Sequence, residues 1–165
     1  MIDGSAAHGH LRPATPADVP AIMKLERENP TAAHWTHQRY DAIFLPNAEH
    51  QPRRFAWVVE QQAQPETIQH IVGFLVAHQI DREWELENIL VAASSQRRGL
   101  GTLLMAGFIA QVRAQGGTDI FLEVRESNQS ARALYHKMGF EESDLRSNYY
   151  ASPSENAVIC RLEIP

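Results

Sequence analysis

Apolar positions along the chain switch between helical and strand spacing several times. Val19, Ile22, Met23 and Leu25 recur at helical intervals behind Thr15-Pro16, a capping hydroxyl followed by a proline suited to a first turn. Pro30 ends that helix, and a second short one is expected over about 36–44. His10-Leu-Arg can form a short first strand. Phe55-Ala-Trp-Val-Val-Glu and residues 68–80 are β-rich, and the polar QQAQPE between them reads as a hairpin loop. Residues 84–91 begin as an alternating strand and finish apolar, so 54–92 predict three consecutive antiparallel strands.

Helical spacing returns after Gly99, in Leu100, Leu103, Leu104, Phe108 and Val112, with Gly116 as the stop. A short apolar strand follows at 118–124. Asn128 can cap a helix carrying Ala131, Leu134, Tyr135 and Met138, which Gly139 ends. Two last strands fit at about 140–150 and 156–164. The pattern predicts one α/β domain over 10–165 with a mixed, mostly antiparallel sheet, behind a flexible lead-in at 1–9. No motif anchors the 46–54 loop.

Composition changes this picture little. A chain of 165 residues, 44% hydrophobic and 21% charged, is long enough to bury a full core in one domain. No apolar run reaches membrane-spanning length and MIDGSAAHGH lacks a signal-peptide pattern, so no membrane partner is expected. Cys160 is the only cysteine, which excludes an internal disulfide, fits a reducing cytoplasm and suits apolar filling of a last strand. A net charge of −5 argues against general nucleic-acid binding and permits a cationic peptide or amine as partner. The eight histidines show no HExxH or cysteine–histidine spacing, so no metal is expected.

The chemistry concentrates at Ser95-Gln-Arg-Arg-Gly-Leu-Gly, where a strand hands over to a long helix. Glycine permits backbone shapes closed to other residues and close approach of a ligand. The first N–H groups of a helix lack internal partners and sit at the positive end of its dipole, which makes an anion site. Gln96, Arg97, Arg98, Gly99, Leu100 and Gly101 therefore read as a phosphate cradle, or equally as a tight strand-to-helix connection with solvated arginines. It is not a P-loop, since no Gly-Lys-Ser/Thr ends it, and not GxGxxG, since residue 104 is Leu.

QRRGLG resembles the Q/R-x-x-G-x-G/A signature of the GCN5-related N-acetyltransferases (GNAT), in the same strand-to-helix context. FLEVRESNQSARALYHKMGFEE and LRSNYY resemble segments of the bacterial RimI-type ribosomal-protein alanine N-acetyltransferases; LENILV and HWT match more weakly. The good resemblance spans about 84–150. It implies a GNAT-type sheet of six to seven strands with helices on both faces. It implies acetyl-coenzyme A as donor, its pyrophosphate on Arg97, Arg98, Gly99, Leu100, Gly101 and Thr102, and its pantetheine arm paired with Ile89, Leu90 and Val91. The implied acceptor is a protein N-terminal amine, with the N-terminal alanine of small-subunit ribosomal protein eighteen favoured; the sequence does not decide between a monomer and an oligomer.

Acetyl transfer needs a neutral amine, a polarised thioester and a protonated leaving sulfur. An α-amine has a pKa of about 8 against about 10.4 for lysine, so freeing a lysine costs roughly 3 kcal/mol more, and a modest base is sufficient for an N-terminus. Glu123 interrupts an apolar strand end and is the candidate base. Residue physics alone favours a glutamate reaching solvent or pairing with Arg125; the resemblance reverses that, because the LEVR glutamate is the base of that branch. Tyr135 packs beside Leu134 and Met138 in the bland reading and is the general acid in the implied one. Asn128 caps its helix and, by resemblance, also touches the cofactor. Tyr149 and Tyr150 either line the acceptor groove or belong to a hairpin, while Trp35, Arg125 and Arg146 read as structural or solvated. Glu126 departs from the small residue common at its position and adds negative charge near the acceptor entrance. A GNAT enzyme for a small amine or lysine side chain and a non-catalytic acetyl-coenzyme A sensor are the alternatives.

Overall fold

In the computed structural model, residues 9–46, 53–62 and 69–165 are described. The expected lead-in, apart from Gly9, lies outside these residues, as do 47–52 of the next loop and most of the hairpin loop after Gln62. The elements run β1 (His10–Pro13), α1 (Val19–Arg27), α2 (His37–Asp41), β2 (Arg53–Gln62), β3 (Gln69–Ile80), β4 (Glu83–Val91), α3 (Leu100–Ala114), β5 (Asp119–Arg125), α4 (Gln129–Lys137), β6 (Glu141–Ala151) and β7 (Ser154–Glu163). They build one seven-stranded sheet of order β1-β2-β3-β4-β5-β7-β6. Every neighbouring pair is antiparallel except β4 and β5, which run parallel because α3 carries the chain back between them.

The start of α1 uses the expected residues. Thr15 is the N-cap and Pro16 opens a 3₁₀ turn, Pro16–Asp18, that leads into α1; the Thr15 carbonyl accepts from Asp18 N–H at 3.0 Å, while its N–H and hydroxyl donate to Asp18 Oδ2 at 2.7 and 3.0 Å. Arg12 of β1 donates to both oxygens of the same carboxylate, at 2.8 Å to Oδ2 and 2.9 Å to Oδ1.

Helices cover the two faces of the sheet unequally. On one face α3 and α4 bury Leu104, Phe108 and Val112 against Trp84, Leu86, Ile120 and Leu122. On the other, α1 and α2 bury Val19, Ile22, Leu25 and Tyr40 with Trp35 against Val58, Phe74 and Val76. Trp35 anchors α2 as expected, with Tyr40 at 5.4 Å and Arg39 over its ring at 3.7 Å. Cys160 is buried in β7 within the first core.

The feature that positions the site is a parting of the sheet. β4 and β5 pair only from Glu83↔Asp119 to Leu86↔Leu122, and beyond that point they diverge. A β-bulge sits at the same place: against β3, Leu86 faces Ala77 and Asn88 faces Val76, leaving Glu87 without a counterpart. A bulge bends and twists its strand, which turns the end of β4 away from β5 and opens its backbone toward the gap. The bulge also resets the alternation, so Ile89 and Val91 join the α3 core while Leu90 packs with the α1 core.

Candidate active site

The strand-to-helix turn has the form of an anion cradle. Gly99 is the N-cap of α3 at φ +81°, a conformation that favours glycine, and the first helical bond runs from Leu103 N–H to the Gly99 carbonyl at 2.9 Å. Among the described residues, the N–H groups of Gly99, Leu100, Gly101 and Thr102 have no acceptor. Four unpaired amides at the positive end of a fifteen-residue helix fit a diphosphate. Arg97 and Arg98 are exposed beside them and enter no ion pair among the described residues. Gln96 does not join the cradle: its side-chain amide donates to the Val91 carbonyl at 3.0 Å, tying the turn to the end of β4.

The gap between β4 and β5 forms a cleft of about 700 Å³. Ile89 and Leu90 line it from β4, Glu123 and Arg125 from β5, and Asn128 and Tyr135 from α4. Val91 is on the same open edge but not among the lining residues. Asn128 caps α4, its side chain accepting from Ala131 N–H at 3.1 Å. Capping this helix aims Tyr135, about two turns later, back toward the cleft. Its ring is buried against Phe140, and burial first, then nearby Cys160 and Tyr150, pushes the phenol above its ordinary value. Among the described residues no side chain is hydrogen-bonded to its hydroxyl, and the ring lines the cleft. The fold thus brings Glu123 and Tyr135 to one cleft from separate elements.

Glu123 is partly exposed and ion-paired, as residue physics favoured, but with a different arginine. Arg146 Nη1 lies 2.8 Å from its Oε1, and its side chain keeps about a fifth of its surface exposed. The expected alternative partner, Arg125, instead pairs with Glu155 at 2.8 Å and lies over the Tyr150 ring at 4.1 Å. Tyr150 lines the cleft, whereas Tyr149 stands outside it with its ring edge-on to Tyr150 at 5.1 Å. Interaction with the Glu123 carboxylate, then burial, pushes the Tyr149 phenol up; burial, then Glu123, does the same to Tyr150. Glu126 accepts from Asn156 at 2.9 Å, so its extra charge is tied to β7 rather than held free at the entrance.

Sequence reasoning missed a charged cluster on the same face. Glu87, at the bulge, accepts from Arg54 at 2.9 and 3.2 Å, with Arg39 at 3.6 Å and His78 at 3.5 Å. Burial would raise its carboxyl, but contact with His78 and the Arg54 bonds hold it at about 2. Alternation along β4 gave no sign of this, because the bulge places Glu87 where no pattern puts a buried residue. Among the described residues no group of three or more histidine, cysteine, aspartate or glutamate side chains is arranged to hold a metal.

Comparison with known proteins agrees with this geometry. The chain is 46% identical over 92 residues to the [ribosomal protein bS18]-alanine N-acetyltransferase of Haemophilus influenzae, covering 54% of this chain and 62% of that protein. It is 38% identical over 96 residues to the protein of the same name from Escherichia coli K12, covering 57% of this chain and 65% of that one. These alignments span less than two thirds of either relative. The crystal structure of the ribosomal-protein-S18-alanine N-acetyltransferase from Escherichia coli superposes with a TM-score of 0.78 at 28% identity, over 95% of this chain and 94% of that one. The sequence pattern of the acetyltransferase (GNAT) family matches residues 19–140, from α1 through the end of α4 and across both sides of the cleft, and the chain belongs to that family.

Proposed function

We propose that the protein transfers the acetyl group of acetyl-coenzyme A to a protein N-terminal α-amine, and that its acceptor is the N-terminal alanine of ribosomal protein bS18. One observation carries the reading: an open β4 edge, Glu123 and Tyr135 border one gap in the sheet, and the turn that presents the unpaired amides of α3 is tied to the end of that edge by Gln96 and Val91. The amides and Arg97 and Arg98 hold the diphosphate, and the β4 edge from Glu87 to Val91 offers main-chain groups to the amide-bearing arm. Relatives named for bS18 alanine acetylation support the acceptor.

The transfer balances without a metal or covalent enzyme intermediate. A neutral amine attacks the thioester carbonyl, a C–N bond forms, and Glu123 takes the proton that nitrogen loses. The C–S bond breaks and the sulfur receives a proton from Tyr135, which regains one from solvent while Glu123 releases its own. The buried phenol keeps its proton until the sulfur departs, and the same low-polarity surroundings make the sulfur a stronger proton acceptor. The test is thiol release with a peptide bearing a free N-terminal alanine, against its N-blocked, lysine-containing counterpart. Only the free N-terminus should be acetylated, and Glu123→Gln should lower kcat/KM by about 10²–10⁴-fold. Equal turnover of the blocked peptide would assign the site to lysine or small amines, and cofactor binding with no turnover of any acceptor would assign it to sensing.

A further inference from the structure

Glu123 faces two spaces at once. It lines the cleft that holds Tyr135, and it also lines a second cavity of about 390 Å³ together with Glu85, Phe121, Ser143, Asp144 and Arg146. Arg146 stands on the second side, its Nη1 2.8 Å from the Glu123 carboxylate, with its guanidinium 5.5 Å from the Tyr149 ring centre. The side chain of Arg146 is 54% exposed where that of Glu123 is 21% exposed, so the cation is the better solvated member of the pair. Its strand is irregular there: Arg146 faces Ala157 and Tyr150 faces Glu155, leaving Ser147, Asn148 and Tyr149 against Asn156 alone. Asn148 takes φ +51° and donates its N–H to the Asn156 side chain at 3.0 Å.

A guanidinium at hydrogen-bonding distance occupies the carboxylate oxygen that an acceptor's N–H would need. An exposed ion pair is weak, and a second cation can replace the first without leaving the carboxylate unpaired, since the displaced guanidinium is solvated. We propose that Arg146 is a counter-ion latch on Glu123, displaced by the ammonium group of the arriving acceptor, so that the base is freed only when an acceptor is seated. In the exchange the ammonium takes the place of Arg146 beside Glu123. One N–H bond then breaks and one O–H bond forms on the carboxylate, which leaves a neutral amine facing the thioester side. Arg146 is a positioning residue in this scheme, not a proton donor. The inference rests on Glu123 being the base.

The other groups around Glu123 fix the direction of the effect. Glu85 comes from β4, Asp144, Tyr149 and Tyr150 from β6, and Ile159 of β7 carries no charge. Arg125 lines the cleft side but pairs with Glu155, so Arg146 is the cation in contact with the Glu123 carboxylate. Steady-state kinetics of the full chain with acetyl-coenzyme A and an N-terminal alanine peptide test this with Arg146→Gln, Arg146→Lys and Glu123→Gln. Arg146→Gln should lower the peptide KM at pH 7 roughly two- to fivefold, the weight of an exposed ion pair, and leave the KM for acetyl-coenzyme A at its wild-type value. Arg146→Lys should keep both near wild type, which separates loss of charge from misfolding. A peptide KM that rises or stays at its wild-type value overturns the latch. Full activity of Glu123→Gln would instead overturn the assignment of the base.

Discussion

The two glycines of the QRRGLG turn do different work. A side-chain carbon added at Gly99 would meet nothing within 4 Å, so that glycine is set by its left-handed backbone; one added at Gly101 would lie 3.1 Å from Leu134 Cδ2, so that glycine lets α4 close on α3. Below the cleft, Glu26 is buried with both oxygens used, one by Trp35 N–H at 2.9 Å and one by the Asn88 amide at 2.8 Å. Asn88 both lines the cleft and ties α1 to β4. Asn88→Ala removes a donor from a buried carboxylate, which costs about 1–3 kcal/mol. The urea midpoint should fall accordingly; a midpoint equal to wild type would mean that Glu26 finds another partner. Arg146 shows the limit of reading residues singly: its neighbours along the chain say solvated surface, and only the pairing of β6 beside β7 and β7 beside β5 brings it to Glu123.

At the scale of elements, the end of β4 is held in place from behind. Gly73 of β3 faces Val91, and a methyl group there would come within 2.9 Å of the Leu90 carbonyl, a backbone atom that can move only with its strand. Gly73→Ala should therefore push the open edge into the gap, costing about 1–3 kcal/mol of stability. It should also raise the KM for acetyl-coenzyme A; an unchanged KM in a folded variant would argue that the donor does not pair with this edge. Much of the frame was legible because period and punctuation are local. The helical spacing behind Gly99, the stops at Gly116 and Gly139, and the three strands across 54–92 all agree with the observed elements. The parting of the sheet was not, since it follows from Glu87 having no partner on β3, a relation between strands. Only the pantetheine pairing with Ile89, Leu90 and Val91 that the family resemblance implies pointed to an open edge there. Nothing in the sequence pointed to the meeting of Arg54, His78 and Glu87, which come together across three strands.

Across the whole molecule, ion pairs fasten the edges of the sheet that helices do not cover. Arg12 of β1 binds Asp18 before α1 at 2.8 Å and Glu60 of β2 at 2.6 Å, and Arg54 of β2 reaches over β3 to Glu87 of β4. These contacts, the Arg12 hydrogen bond foremost for Asp18, hold that carboxyl down at about 2, and Glu60 below its ordinary value for the same reason. Glu87 is also held at about 2. The unfolded chain binds protons on such groups at about pH 4, so each depressed carboxyl adds stability that is fully present above that pH and is lost as pH falls toward 2. The thermal midpoint should accordingly drop steeply between about pH 4 and 2. Arg12→Met removes the cation and leaves Asp18 and Glu60 facing each other's charge. That variant should be less stable than wild type at pH 7, and its midpoint should fall less between pH 4 and 2, because its carboxyls no longer lose a favourable partner on protonation. Circular dichroism melts of both proteins across that range give the comparison. Parallel curves would mean that the Arg12 cluster contributes packing and not charge.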